Sequence, residues 1–231
     1  MNIKFSCFVT GTDTDVGKTL VASALLHKCR QQGWRAVGMK PVAAGCQPDA
    51  AGQMRNADVE ALRQAGNVDA AQGEINPYLF QAAIAPHLAA QQQGVTIDPE
   101  HILSSLARLR AQAEAIVVEG AGGFRIPLTA GCDSADLARR MGLPVVLVVG
   151  MRLGCLNHAL LTQEAIAVRG LSLAGWVANR VDPAMECFDE NLASLQALLQ
   201  APLLGVLPFM PVPDPHVAAA CLVLPEICNH A

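Results

Sequence analysis

Gly11-Thr12-Asp13-Thr14-Asp15-Val16-Gly17-Lys18-Thr19 joins an apolar run of strand length, residues 3–10, to a helical pattern over residues 18–32. Strand, glycine-rich turn and helix in that order are the setting of a phosphate-binding loop, the P-loop. Glycines let the backbone turn tightly and aim N–H groups at phosphate oxygens, and the helix N-terminus adds partial positive charge. Residues Asp15 to Thr19 would then cradle a nucleotide, with Lys18 on its terminal phosphates and the Thr19 hydroxyl on Mg²⁺. Five residues separate the two glycines, one more than in the usual G-x4-G-K-[ST]. A glycine turn capping a helix beside an incidental lysine is the bland alternative.

Outward from this loop, short apolar runs alternate with helical patterns. Strands are expected at 36–42, 115–119, 145–150, 171–179 and 203–207, and helices at 56–64, 98–113, 134–141, 157–169 and 186–200. Asn56 reads as an N-cap with Gly66 just past the helix end, and Pro99 suits a first helical turn. Val145-Val146-Leu147-Val148-Val149 does not alternate with polar residues, so both faces of that strand should be buried, the mark of a parallel sheet covered on both sides. The expectation is a single α/β domain over residues 1–231, P-loop NTPase-like, with a mostly parallel central sheet and helices on both faces. Residues 211–231 are the least defined part of it.

The chain has 231 residues, 52% hydrophobic and only 16% charged, with net charge −4. That excludes disorder and removes a general electrostatic drive toward nucleic acid or anionic membrane. The longest apolar run, 143–151, contains Pro144 and Gly150 and stops at Arg152, well short of the roughly 20 residues that span a bilayer. Residues 1–10 carry no signal-peptide h-region. The eight cysteines form no C-x-x-C pair. A cytoplasmic protein with reduced thiols is expected.

Two further regions carry charge where an apolar sheet would not place it unaided. Glu119 ends the run Ile116-Val117-Val118 and precedes Gly120-Ala121-Gly122-Gly123. A carboxylate at the C-terminal edge of a strand suits a metal-side role at the ligand-binding edge of the sheet. Lys40 stands within Val37-Gly38-Met39-Lys40-Pro41-Val42, and burying an ammonium is costly unless anions surround it. Asp58 alone would read equally as a first-turn acid favourable to the helix dipole. Together these residues describe a metal–triphosphate site facing a second, anionic reactant.

Eight segments in order then carry a family resemblance: G-T-D-T-D-V-G-K-T (11–19), K-P-V-A (40–43), R-N-A-D (55–58), N-P-Y (76–78), A-P-H (85–87), V-E-G-A-G-G (118–123), R-L-G-C-L-N-H-A (152–159) and G-W-V-A-N (175–179). In these the chain resembles the dethiobiotin synthetase family, ATP-dependent ligases that close the ureido ring in biotin biosynthesis. The resemblance implies a homodimer acting on 7,8-diaminopelargonic acid, CO₂ and MgATP through a carbamate and a mixed carbamic–phosphoric anhydride. It implies catalytic roles for Lys18 and Lys40, and metal ligation by Thr19, Asp58 and Glu119. ATP would also meet Asp15, Val16, Gly17, Gly120, Ala121, Gly122, Asn179, Arg180, Pro208, Phe209 and Met210, with Asn179 on the adenine edge. Ala44, Gly122, Gly154, Cys155 and Asn157 would contact the substrate, the last three taking its carboxylate across the dimer interface. His158 reads as a structural hydrogen-bonder.

The chain departs from the family pattern in a few places. Asp15 stands where glutamate is common, Ala44 where a serine is expected, and Arg180 where an acid can occur. Arg180 is expected over or beside the base. Corrin-amidating ligases are a rival, but they carry an additional glutaminase domain for which 231 residues leave little room. Nucleotide switches of the partitioning type are a second rival. They place a second lysine where this chain has Asp13.

Overall fold

The computed structural model describes residues 2–226. The chain opens with β1 (Phe5–Gly11), α1 (Lys18–Gln31), β2 (Ala36–Met39) and β3 (Val42–Ala44). A small hairpin follows, β4 (Gln47–Pro48) with β5 (Met54–Arg55), then α2 (Ala57–Ala65), α3 (Gln72–Ile75), β6 (Tyr78–Phe80) and α4 (Pro86–Gln92). Next come α5 (Pro99–Gln112), β7 (Ala115–Gly123), the pair β8 (Pro127–Thr129) and β9 (Cys132–Asp133), and α6 (Ser134–Met141). The last third contains β10 (Val145–Gly150), α7 (Cys155–Val168), β11 (Leu173–Asn179), α8 (Phe188–Leu198), β12 (Leu203–Leu207) and α9 (Pro215–Ala220).

Six strands form one wholly parallel sheet in the order β12-β11-β10-β1-β7-β2. Side chains alternate across it. In β7, Val117 packs with Val21, Ala22 and Leu25 of α1, while Ile116 and Val118 pack on the opposite face with Ile102, Leu106 and Leu109 of α5. In β10, Val146 and Val148 face the α1 side, and Leu147 and Val149 face Cys155, Ala159 and Leu195 of α7 and α8. Val145 through Val149 are all 0% exposed, as a non-alternating run in a doubly covered sheet requires. Among the described residues no helix is long and apolar enough to cross a membrane; Cys228 and the rest of 227–231 lie outside them.

The boundaries of α6, β10 and β12 coincide with the sequence expectation. The strand expected over 36–42 does not run through. It stops at Met39, and Val42–Ala44 pairs instead with β6 in a separate two-stranded sheet. Pro41 has no N–H for a ladder, and the Lys40 N–H is drawn to the Ile75 carbonyl at 2.8 Å. Strand β7 runs on through the glycines to Gly123, where a loop was expected after Glu119, because Gly123 still registers with Gly11 of β1. Helix α9 was not expected. Its N-cap, Asp214, accepts from the N–H groups of His216 and Val217, and through Ala218 and Ala219 the helix packs on α1 beside Leu204 and Leu222.

Candidate active site

The C-terminal ends of β1, β7, β10 and β11 converge where strand order reverses around β1, the place at which open α/β sheets bind ligands. The phosphate loop lies there. Asp15 takes the left-handed conformation at φ 58°, and Gly17, the N-cap of α1, follows at φ 90°. A Cβ at Gly17 would lie 2.2 Å from Asn179 Nδ2, so both conformation and space demand glycine. Val16 is buried under the loop. A Cβ on Gly150 would approach its Cγ1 to 2.7 Å, so the β10 end must also be glycine for the loop to seat.

Lys18 is 7% exposed, and its Nζ donates to the Asp13 carbonyl at 2.9 Å. Burial lowers its pKa, and the nearby Lys40 charge lowers it further. Glu119, Asp58 and Asp15 act the other way without reversing the shift, so anionic oxygens placed at this ammonium would be favourable.

Lys40, at the break between β2 and β3, points into the carboxylates. Its Nζ lies 2.5 Å from Glu119 Oε1 and 2.9 Å from Asp58 Oδ2. The Thr19 hydroxyl donates to the same Glu119 oxygen at 2.9 Å. Burial alone would lower the Lys40 pKa, but Glu119 and Asp58 outweigh it and hold the ammonium above its ordinary value. Burial likewise opposes ionisation of Asp58, and the Lys40 charge with the Lys40 and Thr19 hydrogen bonds reverses that, leaving Asp58 low. Glu119 is 0% exposed, and its second oxygen, Oε2, is buried without a hydrogen-bond partner.

That orphaned oxygen, the Thr19 hydroxyl and the Asp58 carboxylate form an oxygen-only donor set, the chemistry a hard divalent cation takes. Among the described residues no group of three or more His, Cys, Asp or Glu forms a cage. An ion here would therefore share its shell with phosphate oxygens and water, as such cations do in nucleotide sites.

The other expected residues fall into two further groups. Asn179 ends β11, opposite Leu207 in β12, and donates from Nδ2 to the Val16 carbonyl at 2.9 Å. Its amide thus braces the phosphate loop from beneath. Pro208-Phe209-Met210 follow β12 on the same edge, with Phe209 exposed. The Arg180 guanidinium lies 4.8 Å from the Phe188 ring centroid and donates to the Pro183 carbonyl, so in this structure it packs on a protein ring. Gly122, at φ 60°, lies beside Thr14 of the loop. Gly120 and Ala121 complete the β7 end, and a Lys40 Nζ–Gly120 carbonyl contact of 3.4 Å draws that end to the cluster.

Gly154, at φ 96°, caps α7; Cys155 is buried, whereas Asn157 and His158 are exposed. Arg152, just before this helix, reaches the Asp13 carboxylate at 2.6 Å. The position that carries lysine in the rival switches is therefore occupied here by the anionic half of an ion pair. Ala44 ends β3, and both its carbonyl and that of Gly45 accept from Asn56 Nδ2.

Three residues in contact with the candidate site were given no role in the sequence. Arg152 is legible only through its long-range partner. Asn76, buried, donates to the Lys40 carbonyl at 2.6 Å. Asn56 was legible as an N-cap but not as a bridge. In each case the motif held the residue, but only the fold supplies what it touches.

A family profile described as an AAA domain matches residues 6–217. The ATP-dependent dethiobiotin synthetase BioD of Aromatoleum aromaticum is 56% identical, over 94% of this chain and 96% of that protein. That of a Janthinobacterium species is 53% identical, over 96% and 95%. Among solved structures, the septum site-determining protein MinD of Pyrococcus horikoshii superposes with a TM-score of 0.56 at 15% identity, over 93% of this chain and 86% of that one. That likeness speaks to the fold alone. The identity to the curated relatives runs through nearly the whole length, and the chain belongs to the ATP-dependent dethiobiotin synthetase family.

Proposed function

We propose that this chain is a single-domain, ATP- and Mg²⁺-dependent cyclo-ligase of the cytoplasm that converts 7,8-diaminopelargonic acid and CO₂ to dethiobiotin, releasing ADP and phosphate. The observation that carries the reading is Lys40, held between Glu119 and Asp58 beside the phosphate loop. A carbamate is a poor electrophile. One substrate amine adds to CO₂ and loses a proton. A carbamate oxygen then takes the γ-phosphoryl group from ATP, creating a leaving group. The second amine attacks the carbamoyl carbon, the five-membered urea closes, and phosphate departs.

The residues of this chain supply position and charge for those steps. Lys18 leaves the Asp13 carbonyl for the terminal phosphates, and Lys40 neutralises the oxygens between which the phosphoryl group moves. Mg²⁺ held by Thr19, Asp58 and Glu119 would offset the negative charge of the triphosphate. The Ala44 and Gly122 backbone lines the acceptor side. The loop, braced by Asn179 at the Val16 carbonyl, keeps its amides aimed at phosphate.

The substrate carboxylate is assigned to the start of α7 at Gly154, Cys155 and Asn157, within a homodimer. Asn157, Leu161, Glu164 and Val168 recur at helical spacing and are all exposed, Leu161 to 56% and Val168 to 84%. Leu153, just before the helix, is 97% exposed. A helix apolar beyond its core-facing stripe needs a second surface to cover it. Leu161→Glu is expected to give a monomer by light scattering and to raise the KM for the diamine.

The activity itself is tested with purified protein, MgATP and bicarbonate, with and without the diamine. ADP release that depends on the diamine, with dethiobiotin identified by mass spectrometry, is the expected result. Diamine-independent hydrolysis would assign the chain to the nucleotide switches instead.

A further inference from the structure

Asn56 uses every hydrogen-bonding position of its amide. It is 7% exposed. Its Oδ1 accepts from the N–H groups of Asp58 at 3.1 Å and Val59 at 3.3 Å, capping α2. Its Nδ2 donates to the carbonyls of Ala44 at 3.3 Å and Gly45 at 3.1 Å. The turn it reaches is held from the other side as well, because the N–H groups of Gly45 and Cys46 both donate to the Phe80 carbonyl. Gly45 itself sits at φ 83°, with Ala83 packed 3.0 Å from where a Cβ would be.

This one side chain therefore ties two elements that flank the β4–β5 hairpin, eleven and twelve residues apart. One is the first turn of α2, whose Asp58 carboxylate holds Lys40. The other is the end of β3, which lies on the acceptor side of the site. A cap needs only an acceptor, and aspartate or serine serves as well as asparagine. The bridge needs two donors on the same planar group, which only an amide offers here.

We propose that Asn56 is a positioning residue that sets the distance between the phosphate-side carboxylate Asp58 and the acceptor-side turn Ala44–Gly45. The two sides are named as in the proposed function, on which this inference rests. Its effect is on alignment: displacing an acceptor by about 1 Å costs on the order of a hundredfold in rate.

Asn56→Ser keeps the cap and loses the bridge. The expected result is a KM for the diamine raised about tenfold or more and a lowered kcat, with the KM for MgATP unchanged within about twofold. Asn56→Asp should behave alike, since it caps well and cannot donate. Asn56→Ala removes both functions, so both KM values should rise. Hydrogen exchange gives a readout independent of substrate: in Asn56→Ser the Gly45 and Cys46 amides should exchange about tenfold faster, while those of Asp58 and Val59 stay protected. Equal KM values in Asn56→Ser and the parent chain, or a parallel rise of both, would overturn the proposal. So would unchanged exchange at Gly45 and Cys46. If the parent chain forms no dethiobiotin, the functional reading fails, and the exchange experiment still decides whether Asn56 holds the turn.

Discussion

Lys40→Ala is expected to lower turnover at least about a hundredfold, the scale on which a preorganised charge contact is lost, and to weaken the fold at the same time. Lys40 is 4% and Glu119 0% exposed. Without the ammonium, Glu119 keeps only the Thr19 hydroxyl and faces Asp58 with nothing between them. Breaking a buried pair by removing one partner costs about 3–5 kcal/mol, which lowers Tm by roughly 10 °C in a domain of this size. Mg²⁺ without nucleotide should then raise the Tm of the variant more than that of the parent chain. The two carboxylates and Thr19 gain a cation where they had lost one, and a ligand that binds only the folded state stabilises it. Calorimetry with and without Mg²⁺ checks this. A variant with parental Tm and no added response to Mg²⁺ would mean that Lys40 does not hold the carboxylates together.

Lys18→Ala should lose turnover to a similar extent, at least about a hundredfold, through weakened nucleotide binding, yet leave the fold as stable as before or more so. In the folded protein the Lys18 pKa is lowered, first by burial and then by the Lys40 charge. A group whose folded pKa lies below its unfolded value costs stability at any pH where it is protonated in both states. Its hydrogen bond to one backbone carbonyl and the charges of Glu119, Asp58 and Asp15 favour the ammonium without offsetting that. Titration calorimetry with an ATP analogue, paired with thermal unfolding, separates the two lysines. A Lys18→Ala protein that binds the analogue normally, or one that unfolds as early as Lys40→Ala, would contradict the assignment.

The opposite stability responses expected of the two buried lysines reflect how the site divides between sequence and structure. Lys18 is legible because everything that defines it is local: a strand, a glycine turn and a helix start within nine residues. Lys40 is legible as an oddity, a cation in an apolar run, but its partners Asp58 and Glu119 are 18 and 79 positions away. The same distinction separates the two halves of Asn56. Its cap involves N–H groups two and three residues on, so the N-cap pattern discloses it; its bridge closes eleven and twelve residues back, across a hairpin. Arg152 met Asp13 across 139 positions, and no local pattern points there. The strand expected over 36–42 erred for the related reason that apolar composition reports burial, whereas Pro41 and the pull of Ile75 on Lys40 decide where the ladder ends.

The sequence by itself determined the class of fold, the phosphate loop and the family, because periodicity, glycine placement and ordered motifs are properties of neighbouring residues. The tertiary structure alone decided that Lys40 lies between Glu119 and Asp58, that Asn179 braces the loop at Val16, and that Asn56 spans to Ala44 and Gly45. Those contacts join separate elements at the edge of the sheet. Their free energy depends on burial and on distances of about 3 Å that only packing sets.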